Sequence, residues 1–307
     1  MAQEDPEADE LGRRKALSPL LSVSEFRPLS ASVRVEIGAS SRAPSHALNT
    51  DHYLAVRLSR QQETLATSLS TSDLPSHFEE YGYAMLVADG LGERGAGSVA
   101  SRVALSTIAH LALQYGRWNL RIDAVTAFEI VKRVEWFYTK ADAAVSEERR
   151  ASDATAGIAT ALTAAFSAGD DLFVAHVGHS RAYLFRDGAL TRLTRDDTVE
   201  QQIRDKRHVA PVKGRAQDLG HILTDALGAS AGSPVVEVEQ YRLCDNDCVL
   251  LCTNGLTDVV DEDRIASILA LRRQPQEQCA ILTELVPDGE GRDNATVVMA
   301  QYRIPAS

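Results

Sequence analysis

No stretch of this chain reaches the roughly 20 consecutive apolar residues that a helix needs to cross a bilayer. The start, Met1-Ala-Gln-Glu-Asp-Pro6, lacks the basic and apolar regions of a secretion signal. The expectation is a cytoplasmic protein with no membrane segment. Basic residues are scarce as well: 32 Lys and Arg stand against 43 Asp and Glu, a formal net charge of -11. That balance excludes a surface of clustered cations and, with it, nucleic acid as a partner. Only four cysteines occur in 307 residues, and without a secretion signal they are expected as reduced thiols rather than a disulfide framework. Cys244, Cys248 and Cys252 are spaced by four, which admits a zinc reading. Cys248-Val-Leu-Leu-Cys252 also reads as a buried strand, where residues four apart share a face and pack without forming a tetrahedral clamp. Absent, too, are low-complexity tracts in the body, a kinase-like glycine loop, and any receiver or sensory segment that would name a pathway.

What is present is enough apolar material, 44% of residues, to bury one large core. Residues 1–27 mix charge, Pro and Ser without apolar periodicity and are expected as a flexible N-terminal tail, leaving one domain over 28–307. Alternation and short apolar runs predict strands over 32–37, 52–58, 83–88, 160–166, 171–177, 181–186, 190–193, 235–243, 248–252 and 295–302. Three-to-four spacing predicts helices over 97–114, 124–147, 262–272 and 275–285. Residues 61–80 are polar and read as a loop. The four strands between 160 and 193 read as a meander turning at Ser167–Asp170 and Asp187-Gly188. Residues 199–220, charged and without pattern, read as a flap. Many strands around two helix pairs predict a layered α+β domain.

Asp51, Asp89 and Asp293 fall at the ends of predicted strands, where rigid elements can hold oxygen ligands around hard divalent cations. Carboxylates favour Mg²⁺ or Mn²⁺. Two such ions about 3.5–4 Å apart can share a carboxylate, orient a phosphate and activate a water for attack on phosphorus, with no protein nucleophile. Each Asp, standing next to Gly or Asn, is also an ordinary turn residue when read singly.

Their joint order carries more. Asp89-Gly-Leu-Gly-Glu-Arg-Gly-Ala-Gly-Ser-Val-Ala-Ser101, Ala154-Thr-Ala-Gly157, His176-Val-Gly-His-Ser-Arg-Ala-Tyr183, Leu193-Thr-Arg-Asp-Asp-Thr198, His221-Ile-Leu-Thr-Asp-Ala-Leu-Gly228 and Asp247-Cys-Val-Leu-Leu-Cys-Thr-Asn-Gly-Leu-Thr-Asp258 follow one another along the chain. This ordered set resembles the type-2C metal-dependent protein phosphatase family, from about Val33 to Tyr302. The resemblance implies an α-β-β-α sandwich, two antiparallel sheets flanked by helix pairs. It implies that Asp89 bridges two Mn²⁺ or Mg²⁺ ions, that the Gly90 carbonyl completes one site, and that Asp51 and Asp293 hold the other.

The departures from the family pattern cluster. Asn254 stands where the family has a metal-binding Asp; its amide carbonyl still offers an oxygen but no charge, so weaker metal binding follows. His179 replaces an Asp that contributes to a third metal site in many bacterial members; a hydrogen-bonding or core role and direct ligation are both open. Thr50 stands where many members have Glu. His46 occupies the position where an Arg commonly grips substrate phosphate, and reads either as a weaker phosphate contact or as an inert loop residue. Arg94, where bacterial members often place His, reads as a phosphate contact or a solvated loop residue. Ser180 and Arg181 are expected to fix a hairpin, and Asp258 to start a helix or support the site from outside.

The implied function is hydrolysis of phosphoserine and phosphothreonine in proteins by a hydroxide bridging two divalent cations, in a monomer, opposite a Ser/Thr kinase partner. The alternative is a phosphatase-like module that binds a kinase or phosphoprotein without hydrolysis. A hydrolase of small phosphoesters would share the chemistry.

Overall fold

The structure, a computed structural model, describes residues 29–45, 47–69, 76–116, 124–207, 217–229, 232–289 and 293–305. The tail expected over 1–27 lies outside them. Strands β1 (Arg34–Arg42), β10 (Ala295–Arg303), β9 (Cys248–Cys252), β6 (Arg181–Arg186) and β7 (Ala189–Arg192) pair in that order into one antiparallel sheet. Strands β2 (His52–Glu63), β3 (His77–Leu91), β4 (Ala159–Ala168), β5 (Asp171–Val177) and β8 (Glu237–Arg242) form the second. Helices α1 (Gly97–Tyr115) and α2 (Ala124–Ala151) cover the second sheet; α4 (Glu262–Leu269) and α5 (Pro275–Glu284) cover the first. The helix α3 spans Val199–Arg207. Among the described residues no helix is long and apolar enough to cross a membrane.

Side-chain alternation along the strands explains the layering. In β9, Cys248, Leu250 and Cys252 point to the helix side, into a cluster with Ile265, Leu269, Cys279 and Leu282, while Val249 and Leu251 point between the sheets toward Met85, Val87 and Val174. A strand apolar on both faces must be covered on both faces. In β3 the same rule sends Leu86 and Ala88 to Ala100, Ala104 and Ile108 of α1 and Phe137 of α2. The fold is the expected α-β-β-α sandwich, and Cys248 and Cys252 are core thiols; burial pushes Cys252 up to about 12.

Two local expectations are corrected. The strands between 160 and 193 are not one meander: β4 and β5 form a hairpin in the second sheet, and the chain then crosses to the first sheet at Gly178-His179-Ser180. Apolar alternation is the same in either sheet, so sequence pattern does not mark the crossing. Gly178 does, in hindsight: its φ is 108°, and a Cβ there would lie 2.4 Å from the Cβ of Ala161. Second, residues 61–80 are not all loop, since β2 and β3 run on as a long hairpin with Glu63 opposite His77. There β2 is an edge strand, so polar side chains are tolerated; Gln61 Nε2 donates to Glu79 Oε1 at 2.8 Å and the Arg57 guanidinium lies 5.1 Å above the Tyr81 ring. The stretch expected as a flap contains α3 and a helical turn at Gln217–Gly220, with 208–216 outside the described residues.

Among the hydrogen bonds between the sheets, Tyr302 Oη of β10 donates to Ser167 Oγ of β4 at 2.9 Å, both side chains buried. Tyr302→Phe removes the bond and leaves a buried hydroxyl unpaired, so it is expected to cost about 1–3 kcal/mol in urea unfolding. Adding Ser167→Ala should recover part of that loss, which a double-mutant cycle measures.

Candidate metal centre

Four strand ends, two from each sheet, meet at one end of the sandwich. The β2–β3 register sets His52 opposite Ala88, which brings Asp51, just before β2, beside Asp89 of β3. In the other sheet Val297 pairs with Cys252, so Asn254 follows β9 where Asp293 and Asn294 lead into β10. Two side chains stitch these ends across the sheets. Thr253 Oγ1 donates to Asp51 Oδ2 at 2.8 Å, and Asn294 Nδ2 donates to Thr50 Oγ1 at 2.8 Å.

The loop carrying Asp51 is held locally. Asn49 Oδ1 accepts from the Asp51 amide at 3.1 Å while its Nδ2 donates to Ser41 Oγ at 2.8 Å, and Ser101 Oγ of α1 donates to the Thr50 carbonyl at 2.6 Å. The end of β3 touches the start of α1 backbone to backbone. A Cβ on Gly90 would stand 2.2 Å from the Gly97 carbonyl oxygen, and one on Gly97 would stand 2.2 Å from that of Gly90. Glycine at both positions allows this approach.

Asp51, Asp89 and Asn254 are only 5%, 2% and 4% exposed. Asp51 Oδ1, Asp89 Oδ2 and Asn254 Oδ1 are all buried without a hydrogen-bond partner. Burial, reinforced by the charge of Asp293, raises Asp51 to about 7. Burial and then the charges of Asp51 and Asp293 raise Asp89 well above the usual carboxylate range. Carboxylates packed this way are costly alone and are relieved by a cation. Asn254 is turned to help: Nδ2 donates to Asp258 Oδ2 at 3.0 Å and to Asp293 Oδ2 at 3.4 Å, leaving its carbonyl oxygen free as a donor. Among the described residues no group of three or more His, Cys, Asp or Glu side chains is placed to hold a metal ion by itself. An ion here therefore draws also on amide and backbone oxygens, a donor set suited to hard cations.

A cleft of about 690 Å³ opens over this end and is lined by His179, Arg181, His221, Asn254, Asp258 and Asp293 among others. Asp293 is exposed at its rim. Burial pulls His179 down to about 4, so its ring is neutral at pH 7. Arg181 forks onto Asp196, with Nε at 3.1 Å and Nη2 at 2.7 Å, which fits the expected role in fixing the hairpin. Asp258 lies 3.7 Å from Nδ1 of His221 and accepts from Asn254 Nδ2. Arg94 is exposed with φ 52°. His46 lies outside the described residues.

The residues expected as ligands from sequence, Asp51, Asp89, Gly90, Asn254 and Asp293, thus come from four strand ends that the fold gathers. Sequence reading gave no site role to Thr253 and Asn294, although both sit beside expected ligands, nor to the exposed His221, although it opens one of the segments that carry the resemblance.

Two antiparallel sheets between helix pairs, with oxygen donors converging at one end, define an α-β-β-α protein with a centre for hard cations. The chain belongs to the protein phosphatase 2C family, whose model matches residues 73–286. Asp89 and Asn254 lie inside that match; Asp51 and Asp293 lie outside it. The chain is 31% identical over 216 residues to the serine/threonine protein phosphatase PstP of Mycobacterium tuberculosis, covering 70% of this chain and 40% of that protein's length. It is 27% identical over 220 residues to the serine/threonine phosphatase stp of Listeria welshimeri, covering 72% of this chain and 84% of that one. A crystal structure of the catalytic domain of PstP in complex with two manganese ions superposes with a TM-score of 0.66 at 26% identity, covering 88% of this chain and 99% of that one.

Proposed function

We propose that this protein hydrolyses phosphoserine and phosphothreonine in protein substrates with the help of two divalent ions, Mn²⁺ or Mg²⁺. The observation that carries the reading is the trio of buried, unpartnered oxygens on Asp51, Asp89 and Asn254 where both sheets end. Family membership and the manganese-bound relative support it. Asp51, Asp89, Asn254, Asp293 and the Gly90 carbonyl would hold the ions. Bound there, the ions would supply Lewis acidity toward phosphate and activate water.

The chain's own residues do the positioning. Thr253 fixes the Asp51 carboxylate by donating to Oδ2, which leaves Oδ1 as the donor. Asp258 and Asp293 hold the Asn254 amide group so that its carbonyl stays available. The cleft gives a phosphorylated side chain room to enter; in this reading a phosphate contact falls to His46 and the 199–220 segment acts as a flap. We place the protein in the cytoplasm, as a monomer, in a signalling role opposite a Ser/Thr kinase. The test is initial-rate hydrolysis of a phosphothreonine peptide by the purified chain across Mn²⁺ and Mg²⁺ titrations. Turnover that saturates with metal supports the reading; folded protein that is silent at millimolar metal overturns it in favour of the non-hydrolysing module.

Asn254→Asp adds a negative charge between Asp258 and Asp293. It is expected to lower the Mn²⁺ concentration for half-maximal activity by about tenfold, and to lower the melting temperature of metal-free protein through added repulsion. Melting curves with and without Mn²⁺ check both effects.

A further inference from the structure

His179 is not among the residues expected to hold the two ions, yet its placement calls for a partner. The side chain is 6% exposed, and its Nδ1 is buried with no hydrogen-bond partner. Its Nε2 faces Asp89 Oδ2, itself buried and unpartnered, across 3.8 Å. That separation is too long for a direct hydrogen bond. Asp89 Oδ2, buried and without a hydrogen-bond partner, is costly in that place unless something sits between it and the imidazole.

The gap has the span of a shared cation. Two donors each about 2.1 Å from one ion stand about 3.0 Å apart when adjacent and about 4.2 Å apart when opposite, and 3.8 Å falls within that range. The backbone before His179 is also fixed. His176 joins Gly178 O through Nε2 at 3.0 Å and Thr163 Oγ1 through Nδ1 at 2.8 Å, and the Gly178 amide donates to Asp197 Oδ2 at 2.9 Å. The imidazole is thereby presented to the same cleft as Asn254 and Asp293.

We propose that His179 is a nitrogen ligand of the ion held by Asp89, and that it makes the centre prefer Mn²⁺ and softer divalent metals over Mg²⁺. The inference rests on the metal-dependent reading above. Its chemistry is that of donor type: imidazole suits later transition metals, whereas Mg²⁺ takes oxygen. A chain with carboxylate at this position would discriminate less.

Pulsed electron paramagnetic resonance on the full chain loaded with Mn²⁺ tests it, because ¹⁴N of a ligating imidazole modulates the echo and oxygen donors do not. The expected result is ¹⁴N modulation in the wild type that is lost in His179→Gln and in His179→Asp while Mn²⁺ remains bound. Calorimetry should show the Mn²⁺:Mg²⁺ affinity ratio falling about tenfold or more in His179→Asp. Bound Mn²⁺ without ¹⁴N modulation in the wild type, or modulation that persists in both variants, overturns the role of His179 and leaves the two-ion reading standing. Wild type that binds no Mn²⁺ at millimolar concentration overturns both.

Discussion

Asp89→Asn is expected to lower kcat/KM on a phosphothreonine peptide by about a thousandfold or more, with no increase in unfolding. The argument is electrostatic. Asp89 lies 2% exposed at the meeting of the strand ends, its Oδ2 has no protein partner, and the charges of Asp51 and Asp293 bear on it. A group in that position is stabilised as an anion only by cations, and the amide isostere removes the charge that would hold them. Loss of about 4 kcal/mol of interaction present in the transition state corresponds to about three orders of magnitude in rate. Metal-free protein should respond in the opposite sense. Replacing a desolvated carboxylate by a neutral amide removes a repulsive charge, so the melting temperature of the apo variant should equal or exceed that of wild type. Activity loss with apo stability retained separates chemistry from misfolding. An unchanged rate in Asp89→Asn would sink the proposed mechanism.

Gly255→Ala is the second large expected effect, and it acts through packing. Gly255 follows Asn254 in the turn Asn254–Thr257, and a Cβ there would stand 2.0 Å from the carbonyl oxygen of Asn294. Both sides of the contact are backbone, so no side chain can swing aside. The turn after β9 and the lead into β10 must then separate, which is expected to cost about 1–3 kcal/mol in urea unfolding. The same movement pulls Asn254 away from Asp293, so Mn²⁺ affinity should fall by at least about tenfold. Gly232→Ala serves as the control: nothing lies within 4 Å of a Cβ at that position, and its stability change should stay within about 0.5 kcal/mol. Equal effects at the two positions would show that the contact between the turn and β10 does not matter.

Much of the sandwich was legible because its strands obey simple periodicities. Cys248–Cys252 is apolar at every position and Ala295–Tyr302 nearly so, which announces strands covered on both faces. The two later helices begin as their sequences indicate, one with Asp261 accepting from the Arg264 amide and the other with Pro275 at its first turn. The β2–β3 tip was misread because exposed edge pairing imposes no apolar pattern, so Gln61 opposite Glu79 looks like loop composition. At the site, the acidic strand ends were legible from their order along the chain. The place of His221 beside Asp258 was not, because a contact between residues far apart in the chain leaves no trace in local sequence.

The sequence by itself determined which residues face inward on each strand, and which carboxylates stand at strand ends, because alternation and turn chemistry are local. Only the tertiary structure decided that the chain changes sheets at Gly178, that Thr253 of one sheet grips Asp51 of the other, and that His179 faces Asp89 across 3.8 Å. Those facts depend on pairings between residues as many as 202 positions apart. Desolvation, which raises Asp51 and Asp89 and strands their oxygens without partners, comes from the neighbours each residue acquires on folding rather than from the residues beside it in the chain.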